Sequence, residues 1–101
     1  MYTEILKKVG VKQTPEFTLS ILTYEVGKLH QIKVYKERFG SAGFIGDETT
    51  ELGDAYTMVC LLIEQKGHKV EDLAKEGLER FETRLKEVKL KQLQENCKVR
   101  D

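Results

Sequence analysis

Four charged side chains occupy helix faces that are otherwise apolar. An α-helix turns about 100° per residue, so residues three and four apart share a face. Within 21–35 this places Ile21, Glu25, Lys28, Ile32 and Tyr35 together. Within 51–62 it gathers Glu51, Asp54, Ala55, Met58 and Leu62. Carboxylates on a buried face are costly unless a cation or metal meets them. Glu25, Glu51 and Asp54, brought together between two antiparallel helices, would offer hard oxygen ligands suited to Mg²⁺, or alternatively Mn²⁺. Magnesium keeps several waters and takes up substrate phosphates. The competing reading puts these charges at the stripe's edge, solvated or paired with Lys28. E-x-x-D spacing is common in helical proteins, and spacing alone leaves both readings open.

The elements that must position these residues are marked by proline and glycine. Thr14-Pro15-Glu16 reads as a helix start: a capping threonine, a proline at the first helical position and an acid at the positive end of the dipole. That helix is expected over 15–39, with Arg38 in its last turn and Gly40 just beyond. The glycine-rich stretch 40–46 reads as a connector. Asp47 is expected to cap a helix over 48–66 that stops at Gly67. A third long helix is expected over about 70–90, with a further extension left open. Its apolar residues Val70, Leu73, Ala74, Leu78, Phe81, Leu85 and Val88 recur at helical steps. Residues 2–9 suit a short helix, and the charged tail 91–101 is expected to fray.

The expected fold is therefore all-α. Residues 1–101 form one domain, an antiparallel bundle of three long helices plus a short N-terminal one, with its core over 15–90. Leu52, Ala55, Tyr56, Met58, Val59, Leu61, Leu62 and Ile63 cover more than half the circumference of the second long helix. One partner helix cannot bury so wide an arc, so a homodimer is expected.

At the charged positions the chain resembles the MazG-like nucleotide pyrophosphohydrolases. Tyr24-Glu25-Val26-Gly27-Lys28-Leu29 is similar to the family's first signature, E-x-x-E. Glu51-Leu52-Gly53-Asp54 is similar to the second, E-x-x-D, and Arg80-Phe81-Glu82-Thr83-Arg84 to its basic-Phe-x-x-Arg stretch. The likeness covers about 16–88. It implies an all-α dimer, or a dimer of dimers, that hydrolyses a nucleoside triphosphate to monophosphate and pyrophosphate with Mg²⁺. The implied roles are metal binding by Glu25, Glu51 and Asp54, and phosphate binding by Arg80 and Arg84. Glu51 and Glu48, one turn apart, are the candidate catalytic residues, with Glu48 as outer ligand or base.

Lys28 departs from this pattern, standing where the family has a second carboxylate. A protonated lysine cannot ligate Mg²⁺. Either the site keeps one metal and Lys28 turns to a phosphate or to Glu25, or the chain is a non-catalytic relative that binds a nucleotide or a protein partner.

Other chemistries are disfavoured. Seventeen basic residues balance seventeen acidic ones, against the basic excess usual in nucleic-acid binders. No apolar run approaches a membrane span and the start lacks a secretory pattern, which points to the cytoplasm. Cys60 and Cys97 lack zinc-ligand spacing; Cys60 reads as core and Cys97 as part of the charged tail. The 40–46 loop follows a helix and lacks the Lys-Ser/Thr of a phosphate-binding P-loop. His30 and His68 have no partner at catalytic spacing. Gly27, Gly53 and Gly77 fall inside helices; close packing is the expected explanation, with approach of a ligand as the alternative at Gly27 and Gly53.

Overall fold

Local signals along the chain account for most helix ends. The computed structural model describes residues 1–40 and 46–100, and helices make up nearly all of them. They are α1 (Tyr2–Val9), α2 (Pro15–Phe39), α3 (Glu48–Gln65) and α4 (Val70–Arg100). Among the described residues there is no strand. The Thr14 side chain caps α2 by accepting from the Phe17 amide at 3.1 Å. Asp47 caps α3 from the Thr49 amide at 3.1 Å and also accepts from the Thr50 hydroxyl at 2.8 Å. Gly10 and Gly67 both adopt φ of 83°, a left-handed conformation that costs glycine little, and end α1 and the α3 turn.

One boundary differs from expectation. Residues 91–100, expected to fray, continue α4. Their run of Lys, Leu, Gln and Glu is made of good helix formers, and helical propensity outweighs the high charge. Most of the expected 40–46 connector, residues 41–45, lies outside the described residues.

The chain divides into two compact units, Met1–His68 and Lys69–Asp101. In the first, α2 and α3 pack together and α1 rests on α3. Lys28 meets Glu51 and Lys36 meets Glu48, while Gln13, ahead of α2, meets Gln65 at the end of α3. Ascending numbers on one helix meet descending numbers on the other, so α2 and α3 are antiparallel. Ile32, Cys60 and Leu61 are buried between these elements. The second unit is α4, whose Leu78, Phe81, Leu85 and Val88 are exposed.

Polar contacts fix the far end of the helix pair. Thr18 is fully buried. Its hydroxyl donates to the Thr14 carbonyl and accepts from the Gln13 amide group at 2.8 Å. The Gln65 amide group donates to the Gln13 carbonyl at 2.8 Å. Glu64 instead reaches α1, where its Oε1 accepts from the Tyr2 and Thr3 amides at 2.8 and 2.9 Å. It thereby caps α1 from another helix and satisfies N–H groups that the first turn leaves free. Those amides, the Thr3 one foremost, hold its carboxyl below the ordinary value.

The expected close packing at Gly27 and Gly53 is not found: a Cβ at either would have nothing within 4 Å. At Gly77 a Cβ would meet only the end of the flexible Arg80 side chain, at 4.0 Å.

Candidate metal centre

The antiparallel register of α2 and α3 decides which charges meet. Glu25 and Lys28, one turn apart on α2, face Glu51 and Asp54, one turn apart on α3. Carboxylate oxygens of Glu25, Glu51 and Asp54 all lie within 4.8 Å of one another. The Glu25 and Glu51 side chains are 12% and 10% exposed, whereas Asp54 is exposed. The cluster thus has a shielded floor and one wall open to water.

Lys28 enters from the side. Its Nζ lies 2.9 Å from Glu51 Oε1 and 4.0 Å from Glu25 Oε2. It also sits 5.2 Å from the centre of the Tyr24 ring, within cation–π range. Sequence spacing offered Glu25 or a phosphate as its counterpart; in the fold its shortest contact is Glu51, across the helix seam.

One ammonium does not balance three carboxylates. Glu25 Oε2 and Glu51 Oε2 are buried and have no hydrogen-bond partner. Ionised carboxylates can only accept, so two facing one another need a proton or a cation between them. The proton preference is divided accordingly. A proton on Glu25 can be donated to Glu51, and this, followed by burial, raises the Glu25 carboxyl above its ordinary value. Hydrogen bonds from Glu25 and then Lys28 lower Glu51. The contact with Glu51 keeps Lys28 charged by raising its value.

The residues fit a hard divalent cation on three counts. All the donors are carboxylate oxygens, two buried oxygens lack partners, and three carboxylates with one ammonium leave two negative charges when ionised.

Of the other candidate residues in this unit, Glu48 turns to a different partner. Glu48 is 62% exposed and pairs loosely with Lys36 at 3.9 Å. Both line a cavity of about 240 Å³ over Leu29 and Ile32, further along the α2–α3 seam. Arg80 and Arg84 belong to α4, where they line a surface groove with Glu76, Glu79, Thr83 and Glu87. Among the described residues neither arginine forms an ion pair. His30 is exposed, Cys60 is buried and Cys97 is exposed. Among the described residues no helix is long and apolar enough to cross a membrane.

Sequence reasoning missed two polar arrangements, the Glu64 cap of α1 and the Gln13–Thr18–Gln65 network. Glu64 had a faint signal, since it lies one turn past the core residues Cys60 and Leu61 yet is ionisable. The Gln13–Gln65 contact spans 52 positions and leaves no local trace.

No protein-family model, no curated protein and no solved structure matches this chain.

Proposed function

We propose that this chain is a Mg²⁺-dependent nucleoside triphosphate pyrophosphohydrolase with a MazG-like helical bundle, assembled as a homodimer or a dimer of dimers. One observation carries the reading. Three carboxylates from two helices present oxygens within 4.8 Å of one another, and Glu51 among them is buried with Oε2 unpartnered. The motif resemblance adds the substrate class. The balance of seventeen basic and seventeen acidic residues gives no basic excess to favour a nucleic acid over a nucleotide as the partner.

Glu25, Glu51 and Asp54 hold the cation, with Mn²⁺ as an alternative to Mg²⁺. The ion, when bound there, would supply charge neutralisation to a phosphate-bearing substrate. A water attacks the α-phosphorus, the bond from that phosphorus to the α,β-bridging oxygen breaks, and pyrophosphate leaves. Glu48, which pairs loosely with Lys36, is assigned the proton of the attacking water only on its place one turn before Glu51. Lys28 offers its ammonium to a phosphate oxygen from the edge of the cluster. Arg80 and Arg84 are assigned to substrate phosphates on the resemblance alone.

Purified protein should release pyrophosphate from at least one common ribo- or deoxyribonucleoside triphosphate when Mg²⁺ or Mn²⁺ is present. Glu51→Gln, which keeps the side-chain shape, should lower the rate by about a hundredfold or more. Failure to cleave any of these nucleotides would remove the hydrolase reading. A non-catalytic helical dimer that binds a nucleotide or a protein partner would then replace it. The Lys28–Glu51 contact favours that second reading, because it already neutralises part of the acidic charge.

A further inference from the structure

Lys28 is the one cation among the charged side chains of the α2–α3 cluster, and its contact tells how much positive charge the pocket still needs. Its Nζ engages Glu51 Oε1 at 2.9 Å, so an ion at that oxygen would share it with an ammonium. The buried oxygens left without partners are Glu25 Oε2 and Glu51 Oε2, and Asp54 stands beside them at the open wall. Glu51 is only 8% exposed, so water is a poor substitute for the missing partner. One divalent ion cancels the two negative charges that Lys28 leaves. A second would put two unbalanced positive charges beside an ammonium.

We propose that Lys28 is a built-in cation of this pocket, limiting it to a single divalent metal ion bound by Glu25, Glu51 and Asp54. This rests on the metal reading above and adds to it a stoichiometry and a role for the departing residue. The Lys28 side chain is 35% exposed. Its ammonium therefore lies at the boundary between the shielded carboxylates and solvent, where a phosphate oxygen could also reach it. The same side chain competes with the metal for Glu51, so the native affinity is weaker than three carboxylates alone would give.

Mn²⁺ titration followed by electron paramagnetic resonance and calorimetry tests this without any turnover. The wild-type chain should bind one Mn²⁺. Lys28→Met removes the competing charge without adding a ligand and should bind one Mn²⁺ about tenfold more tightly or better. Lys28→Glu adds a carboxylate, frees Glu51 Oε1 and should bind two. Circular dichroism checks that each variant keeps its helices, and Lys28→Met keeps the test open should Lys28→Glu unfold.

Two ions per wild-type chain would overturn the proposal. So would wild-type binding of one ion that neither substitution alters, although the metal site itself would then survive. Binding by the variants but not by wild type would overturn it too, showing that the ammonium alone satisfies the pocket. No Mn²⁺ binding by wild type or by either variant would remove the metal reading together with this one.

Discussion

Glu25 and Glu51 divide one electrostatic problem unequally. Glu25 holds its proton above the ordinary value of 4.5 because it can donate that proton to Glu51 and because it is buried. The native state then keeps a proton that the unfolded chain releases, so stability falls as pH rises from about 4.5 through the raised value. Glutamine imitates the protonated acid at every pH and can still donate to Glu51. In a chelator-containing buffer at pH 7, Glu25→Gln should therefore melt a few degrees higher than wild type, and the two should converge near pH 4. A lower melting temperature at pH 7 would contradict this account. The same substitution should abolish Mn²⁺ binding, because the cost in the free protein comes from the group that serves the metal. The residues of this cluster were legible in sequence as charges on apolar faces. Their proton distribution was not, since it depends on which oxygens face each other across the seam.

At the scale of the element, caps and stops read well and interior glycines did not. Thr14, Asp47 and Gly67 act within a few residues of themselves, so sequence carries their whole message. Gly27 and Gly53 were expected to allow close approach, and the space beside them is open. Each thus carries the entropic cost of a helical glycine with no neighbour among the described residues that needs it. Gly53→Ala should stabilise the protein by about 0.5–1 kcal/mol, measured by urea unfolding. A destabilising result would mean that another surface comes close to Gly53.

Glu64 ties α1 to α3 and has its own pH signature. Its folded value is lowered by the Thr3 amide first, with the chain's amino group and the Tyr2 amide adding to the effect. This contribution is fully present above the unfolded value near 4.5 and is lost as pH falls through the lower folded value. Glu64→Gln should flatten the acid side of the stability profile and speed amide exchange across α1. Unchanged exchange in 2–9 would show that the cap does not hold α1 in place.

At the scale of the whole molecule, the first unit is short of core. Among its described residues the fully sequestered apolar side chains are Ile32, Cys60 and Leu61. On α3, Leu52, Tyr56 and Val59 form a stripe that is 53%, 60% and 39% exposed. Aromatic and aliphatic residues at this spacing on one helix face suit a helix–helix contact. Light scattering should give a mass of about two or four times the 11.7 kDa chain. Combined Leu52→Lys and Tyr56→Lys substitution should reduce that mass. A wild-type monomer would show that the stripe serves no contact between copies.

What the sequence determined by itself was local: four helical segments, the caps of α2 and α3, the glycine stops, and two pairs of charges, Glu25 with Lys28 and Glu51 with Asp54, on otherwise apolar faces. These follow from the geometry of one helix turn and from side chains acting on their own backbone. Tertiary structure decided which pairs met. The α2–α3 register placed Lys28 on Glu51, left Glu48 with Lys36, and joined Gln13 to Gln65 across 52 positions. Helical periodicity records the face a residue occupies but not the residue opposite. The charge left over in the pocket depends on that opposite partner.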